Sequence, residues 1–211
     1  MNPFVDQLVE RYPVLSVIAG DIEQAAEVMT GCARSGGLIM TAGNGGSSSD
    51  ADHITGELLK GFIKKRPLPE ELKQAFANSS WDGASELAES LQMGIRSVNL
   101  GNAQALVSAF GNDVNPQAAY AQHLWALARP GDVFVGISTS GNAENIRLAL
   151  IAARVAGVKT ILLTGSKNGI CTRYADIVIA APSSCTYQIQ ELHLPIYHTL
   201  CMAVEGALFD E

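Results

Sequence analysis

Three consecutive hydroxyl side chains, Ser138, Thr139 and Ser140, follow a mostly apolar run at 133–137 and precede a helical pattern at 144–156. The first turn of a helix has unpaired N–H groups and the positive end of the helix dipole, so it favours a phosphate. A single hydroxyl there is an ordinary N-cap. Three in a row after a buried strand favour an anion site instead, because ligands of open α/β sheets bind at the strands' carboxyl ends.

A second loop, 43–47, follows another short apolar run and consists of Gly43, Asn44, Gly45, Gly46 and Ser47. Glycines allow a sharp turn and a close approach of the backbone to a ligand. The loop lacks the third glycine of a dinucleotide fingerprint, and the chain lacks a Walker A lysine, so we expect no nucleotide cofactor. A plain tight turn remains an alternative. Together with the hydroxyl loop, it predicts the second wall of one ligand cleft.

His53 and Glu57 come soon after the glycine loop and are spaced to share one helix face. His53 could bind a metal, and Glu57 could be a ligand or a general base. A surface ion pair is the simpler alternative. The last predicted helix carries Gln190, His193 and His198, and the spacing places the two histidines on different faces, so we expect them to have different roles.

The triplet Gly111, Asn112, Asp113 follows a short predicted helix. Its composition is typical of an Asx turn, which is the favoured interpretation. A carboxylate in a loop at the same edge of the sheet could also bind substrate hydroxyls.

These residues require a scaffold of alternating strands and helices. Short apolar runs predict strands at 38–42, 97–100, 133–138, 159–164 and 177–180. Strands that are apolar on both faces favour an α/β fold, a three-layer sandwich with a parallel sheet flanked by helices. We expect a single domain over 1–211.

Helical segments precede and interrupt this pattern. N-terminal helices are expected over about 1–35, one of them begun by Asp21 as its N-cap. A helical insertion or lid is expected over about 61–94, with helical stretches near 70–77 and 84–92. Its start carries a basic patch of Lys60, Lys64, Lys65 and Arg66. A final helix over 187–208 contains Pro195, where a kink is expected.

The composition excludes several classes of protein. The 211 residues are 47% hydrophobic and 17% charged, with a formal net charge of −7, which argues against nucleic acid or an anionic membrane as a partner. No segment has the length and apolarity of a membrane span, and the N-terminus does not resemble a signal peptide. The four cysteines form no C-x-x-C pair, and a reduced cytoplasmic protein is expected.

Five strings together resemble the sugar isomerase (SIS) domain family: AGNGGSSSDADHITGEL, AFGNDV, GDVFVGISTSGNAENI, ILLTG and IQELHLPIYH. They are spread from about residue 38 to the C-terminus. The pair GNGGS and GISTSGN is specific for the family. The spacings H-x-x-x-E and Q-E-x-H-x-x-x-x-H are similar to its heptose-phosphate branch.

The resemblance implies a homotetramer with sites at subunit interfaces. It also implies an aldose–ketose isomerase that interconverts sedoheptulose 7-phosphate and D-glycero-D-manno-heptose 7-phosphate through an enediol. Glu57 would be the base and His198 the acid–base partner. The phosphate would bind Ser138, Thr139 and Ser140. The remaining substrate contacts would be Asn44, Gly45, Gly46, Ser47, Asp113 and Gln190.

The resemblance also implies one Zn²⁺ per site, held by His53, Glu57, Gln190 and His198, a chemically reasonable set of donors. The chain departs from the family pattern at Ala143, Tyr187, Gln188 and Pro195, and its 61–94 segment is longer than usual. Two alternatives therefore stay open: an isomerase of another phosphosugar, and a non-catalytic regulatory protein that binds a sugar phosphate.

Overall fold

A computed structural model describes residues 2–167 and 169–209. Its five strands pair in parallel in the order β2-β1-β3-β4-β5. They are β1 Ile39–Ala42, β2 Ser97–Asn99, β3 Val133–Ile137, β4 Lys159–Gly165 and β5 Ile177–Ala181. The three central strands β1, β3 and β4 are buried almost throughout, as expected for a parallel sheet covered on both faces.

Helices cover both faces of this sheet, so the predicted three-layer α/β fold is confirmed. The α-helices of the described residues are α1 Pro3–Arg11, α2 Ala19–Arg34, α3 Gly46–Leu59, α4 Glu70–Ala77, α5 Ala84–Ser90, α6 Gln104–Asp113, α7 Ala119–Leu127, α8 Glu144–Val155 and α9 Thr186–Phe209. Short 3₁₀ helices lie at Pro13–Ile18, Leu100–Asn102, Pro116–Ala118 and Ile170–Tyr174. One core joins the sheet to α1, α2, α3 and α9, and the other joins it to α7 and α8.

The strand order reverses direction at β1. The chain passes from β1 to β2 on one side and then returns to β3 on the other side of β1. Ligands of open α/β sheets bind in the crevice at such a switch point, outside the carboxyl ends of the strands. The loops after β1 and β3 are the glycine loop and the hydroxyl loop, so the topology places both at this crevice.

Two helix starts differ from the prediction. Helix α2 begins at Ala19, directly after the 3₁₀ turn, so Asp21 lies in its first turn and is not its N-cap. The 3₁₀ turn leads directly into the helix, so this helix start does not need the side-chain cap that an isolated helix start would use. Helix α3 begins at Gly46, because Gly45 makes the turn with a φ of +56°; Ser47 therefore lies in the helix and not in the loop.

The 61–94 segment contains two helices, α4 and α5, where helical stretches were predicted. Its basic patch is smaller than predicted, because Arg66 is buried in an ion pair with Glu205. Helix α9 continues through Pro195 as one 24-residue helix. Within the described ranges, no helix combines the length and apolarity needed to cross a membrane.

Candidate active site

The hydroxyl loop is a tight turn built on the end of β3. Ser138 is buried, and its N–H donates to the carbonyl oxygen of Leu163 at 3.0 Å, which continues the β3–β4 ladder. Gly141 has a φ of +66°, and its N–H returns to the Ser138 carbonyl at 2.9 Å. The backbone of this loop is therefore fixed before any ligand binds, and Ser140 is left exposed at its rim.

Helix α8 begins immediately after this loop without a side-chain cap. Its N-cap residue is Ala143, which has no side-chain donor or acceptor, and no cap hydrogen bond is formed by the side chain. The Ala143 N–H lies 3.4 Å from the Ser138 hydroxyl oxygen, a long hydrogen bond. The positive end of the α8 dipole therefore faces the hydroxyl loop, as an anion site requires.

The glycine loop brings the backbone close to two other elements. A side chain at Gly43 would lie 2.2 Å from the Ser47 carbonyl oxygen, so only glycine fits the turn. A side chain at Gly46 would lie 2.4 Å from Gln190 Nε2 on α9. Gln190 therefore lies against the first turn of α3, next to the loop with which it was predicted to act.

A pair of amides joins the two loops across the crevice. The Asn44 amide donates to Asn145 Oδ1 at 2.9 Å, and the Asn145 amide donates back to Asn44 Oδ1 at 2.8 Å. The prediction included Asn44 but missed Asn145, whose place in the first turn of α8 gave no composition signal. Asn44 is exposed and Asn145 is half-buried, so the pair forms part of the crevice wall.

His53, Glu57 and His198 form a cluster where α3 meets α9. His53 Nε2 lies 3.2 Å from Glu57 Oε1, and the rings of His53 and His198 are 5.0 Å apart at an edge-to-face angle. Glu57 Oε2 also accepts a hydrogen bond from Lys60 Nζ at 2.6 Å. The Glu57 side chain is only 13% exposed. The His53 side chain is 41% exposed, so the ion pair that the sequence allowed is present and forms the outer part of a half-buried cluster.

The surroundings of His198 favour the neutral form of its ring. Burial, followed by the nearby His53, lowers the pKa of His198 below its usual value. Its Nε2 atom is buried and has no hydrogen-bond partner among the described residues. The ring of Phe62 packs against it at 5.2 Å. A neutral imidazole with a free nitrogen can accept a proton and return it near neutral pH.

Tyr197 and Asp50 support this cluster from behind, and neither was predicted. The Tyr197 hydroxyl lies 3.0 Å from His53 Nδ1 and 3.4 Å from Asp50 Oδ1. Burial raises the pKa of the Tyr197 phenol and, separately, that of the Asp50 carboxyl. Tyr197 thus fixes the orientation of the His53 ring. In the sequence, Tyr197 is marked only by its position directly before His198.

The surroundings of His193 and Asp113 differ from those of this cluster. His193 is completely buried, and its Nε2 bonds the carbonyl oxygen of Thr164 at 3.2 Å, so it fastens α9 to β4. The different roles expected for His193 and His198 agree with these environments. Asp113 is the last residue of α6 and not part of an Asx turn. Its exposed carboxylate accepts a hydrogen bond from the Asn112 amide at 2.8 Å.

The side chains that the resemblance implies as zinc ligands lie in one region, but their donor atoms are not arranged around a common point. Over residues 2–167 and 169–209, no group of three or more His, Cys, Asp or Glu side chains has the geometry of a metal site. The unpartnered His198 Nε2 and the adjacent His53 and Glu57 nevertheless offer the nitrogen and oxygen donors that Zn²⁺ prefers.

Comparison with known proteins identifies the family. Two SIS domain profiles match residues 104–202 and 12–98. The phosphoheptose isomerase of Akkermansia muciniphila is 34% identical over 96% of this chain and 93% of its own. The phosphoheptose isomerase of Rhodospirillum rubrum is 37% identical over 89% of this chain and 86% of its own. The solved phosphoheptose isomerase of Francisella tularensis superposes with a TM-score of 0.76 at 27% identity, over 97% of this chain and 96% of that one. The chain belongs to the phosphoheptose isomerase family of SIS domain proteins.

Proposed function

We propose that this chain is an aldose–ketose isomerase that interconverts sedoheptulose 7-phosphate and D-glycero-D-manno-heptose 7-phosphate. The observation that carries the proposal is the half-buried cluster of Glu57, His53 and His198, formed by two helices that also meet the substrate crevice. A protein that only senses a sugar phosphate needs the phosphate loop but has no use for a carboxylate base beside a neutral histidine.

The phosphate binds at the hydroxyl loop. Ser138, Thr139 and Ser140 surround the start of α8, whose dipole favours an anion, and the uncapped Ala143 leaves room for it. Because the net charge of the chain is −7, affinity for a phosphate comes from these local donors and not from the overall field.

The isomerisation proceeds by two proton transfers at neighbouring carbons. Glu57 takes a proton from C1 of the ketose, and the C–H electron pair forms the C1=C2 bond of the enediol while the C2 oxygen gains a proton. Glu57 then returns the proton to C2, and loss of the proton from the C1 oxygen gives the aldehyde. His198 Nε2 carries the oxygen protons, which its lowered pKa allows at neutral pH.

The relatives of this chain support a seven-carbon substrate. The proteins of Akkermansia muciniphila and Rhodospirillum rubrum, which are 34% and 37% identical to this chain over most of its length, are both phosphoheptose isomerases. We therefore propose a heptose substrate over a shorter one.

We also propose that the site binds one Zn²⁺ through His53, Glu57, Gln190 and His198. The buried, unpartnered His198 Nε2 is the observation that supports this set. When bound, the metal would polarise the sugar carbonyl or hold the site together. The test is metal content by mass spectrometry in the wild type and in His53→Ala. About one Zn²⁺ per chain, lost in the variant, supports the site, and equal content in both proteins refutes it.

A homotetramer in the cytoplasm completes the proposal. Several large apolar side chains are well exposed, including Trp81 at 80% and Val17 at 75%, and burial at a subunit interface would remove them from water. All four cysteines are free, which suits a reducing compartment. Light scattering coupled to size exclusion tests the assembly, and a mass of a single 22.3 kDa chain would refute it.

The reaction is tested by turnover of ketose phosphates that contain five, six and seven carbons. We expect the highest kcat/KM for sedoheptulose 7-phosphate, and a Glu57→Gln variant that keeps its fold but loses turnover. Glu27→Gln, an exposed carboxylate on α2, is the matched control. A preference for a shorter sugar would replace the heptose assignment. Tight binding of every substrate without turnover would favour the regulatory alternative.

A further inference from the structure

An ion pair lies completely buried between the segment after α3 and helix α9. Arg66 Nε and Glu205 Oε1 are 2.7 Å apart, and neither side chain is exposed to solvent. Glu205 also accepts hydrogen bonds from three backbone N–H groups, those of Phe62 at 2.8 Å, Ile63 at 2.9 Å and Lys64 at 3.2 Å. One carboxylate therefore fixes the whole turn that follows α3.

Arg66 also contacts the backbone of the residue proposed as the base. Its Nη1 donates to the carbonyl oxygen of Leu58 at 2.9 Å, and its Nη2 donates to that of Glu57 at 3.4 Å. The last carbonyls of a helix have no partner within the helix, so Arg66 caps the C-terminus of α3 at the residue that carries the catalytic carboxylate.

Glu205 connects the same pair to the other catalytic residue. It lies seven residues after His198 on α9, two helical turns further along the same face. Phe62, whose N–H it binds, packs its ring against His198 at 5.2 Å. Arg66 and Glu205 thus contact the supports of both Glu57 and His198.

The net stability of the fold does not by itself explain why this ion pair is buried. The cost of removing two charges from water cancels much of their attraction, and apolar replacements of a buried pair are often no less stable. Burial raises the pKa of the Glu205 carboxyl, but the hydrogen bonds from Phe62, Ile63 and Arg66 outweigh it and hold the pKa below its usual value. The pair is therefore charged in the folded protein.

We propose that Arg66 and Glu205 are positioning residues, which fix the Glu57 carboxylate relative to the His198 ring. This inference rests on the proposed function for its effect on turnover. Its physical basis is that proton transfer requires the base within hydrogen-bond reach of the carbon acid, and that a misplacement of about 1 Å costs on the order of 100-fold in rate.

The test compares Glu205→Gln with Asp132→Asn. Asp132 is also a buried carboxylate that accepts hydrogen bonds from backbone N–H groups, those of Leu38 and Arg129 at 2.8 Å each. It lies at the amino-terminal end of the central strand β3, and these hydrogen bonds involve neither α3 nor α9. We expect kcat to fall about 10- to 100-fold in Glu205→Gln, with KM nearly unchanged because the hydroxyl loop is untouched. Asp132→Asn should lower the Tm without changing kcat.

Nuclear magnetic resonance of the four histidine rings provides a readout that does not depend on activity. The His53 and His198 signals should shift in Glu205→Gln and stay in place in Asp132→Asn. Unchanged kcat and unchanged ring signals in Glu205→Gln would overturn the proposal. If the wild type turns over no heptose phosphate, the proposed function fails, and the ring signals alone decide the positioning role.

Arg66→Lys provides the second variant, should Glu205→Gln not fold. It keeps the charge beside Glu205 but cannot reach both the Leu58 and the Glu57 carbonyls. The expected result is the same loss of kcat with a smaller loss of Tm. Wild-type kcat in this variant would overturn the role assigned to Arg66.

Discussion

His193 makes the stability of the protein depend on pH in a way that can be calculated. The side chain is completely buried between α9 and β4, and burial lowers its pKa from 6.5 to about 4. In the unfolded chain the same imidazole titrates near 6.5. Between these values the unfolded state binds more protons than the folded state, so stability falls as the pH falls.

The size of the effect follows from the two pKa values. The contribution is fully present above about pH 6.5 and is lost progressively down to about pH 4. One unit of pKa difference corresponds to 1.36 kcal/mol, so the loss between pH 7 and pH 4 is about 3 kcal/mol. That is a large part of the 5–15 kcal/mol by which a typical protein is stable.

The assay is urea unfolding at one protein concentration, from pH 7 down to pH 4, for the wild type and His193→Gln. Glutamine can still donate to the Thr164 carbonyl but does not titrate. His123→Asn is the matched control, because His123 is half-buried and its Nδ1 bonds the Leu100 carbonyl at 2.9 Å. We expect the control to keep the wild-type pH dependence, and His193→Gln to lose about 3 kcal/mol of it.

Equal pH dependence in the wild type and His193→Gln would refute this reasoning. It would mean that His193 is not held neutral between α9 and β4.

Two further predictions concern the crevice. Ser140→Ala should raise KM for the sugar phosphate about tenfold with little change in kcat, because a donor to the bound phosphate is lost; a fall in kcat alone would contradict its role in binding. Asn145→Asp should weaken substrate binding, measured by calorimetry, because a carboxylate cannot donate to Asn44 and adds a negative charge beside the phosphate. Unchanged affinity would show that the amide pair does not form the crevice wall.

The strands and the loops that follow β1 and β3 were predictable because their signals are local. A buried parallel strand is a short apolar run, and the residues at its carboxyl end are marked by composition. The glycine loop after β1 and the hydroxyl loop after β3 followed from this rule alone. Their proximity needed one further premise, that parallel strands end at a common edge.

The predicted helix boundaries were wrong where a neighbouring element determines how a helix starts or ends. Asp113 was expected in a turn, but α6 continues through Gly111 and ends only before the Asn115–Pro116 step, where proline disfavours the helical conformation of the residue before it. Asp21 was expected as a cap, but a 3₁₀ turn runs directly into α2. Neither context is visible in the residues themselves.

The supports of the site were missed because their partners are distant in sequence. Arg66 and Glu205 are 139 residues apart, and the sequence pattern places Arg66 in a basic patch. Tyr197 and Asp50 are 147 residues apart. Charged residues are usually exposed, so only the packing of α9 against the turn after α3 identifies this pair as buried.

The central proposal, that Glu57 is the base, is tested by following the proton that it is proposed to move. The wild type, Glu57→Gln and the control Glu27→Gln are incubated with sedoheptulose 7-phosphate in D₂O, and deuterium on the sugar is read by nuclear magnetic resonance. We predict deuterium at C1 of the ketose and C2 of the aldose with the wild type and Glu27→Gln, and none above background with Glu57→Gln. Deuterium incorporation at the wild-type rate by Glu57→Gln would contradict the claim that Glu57 is the base.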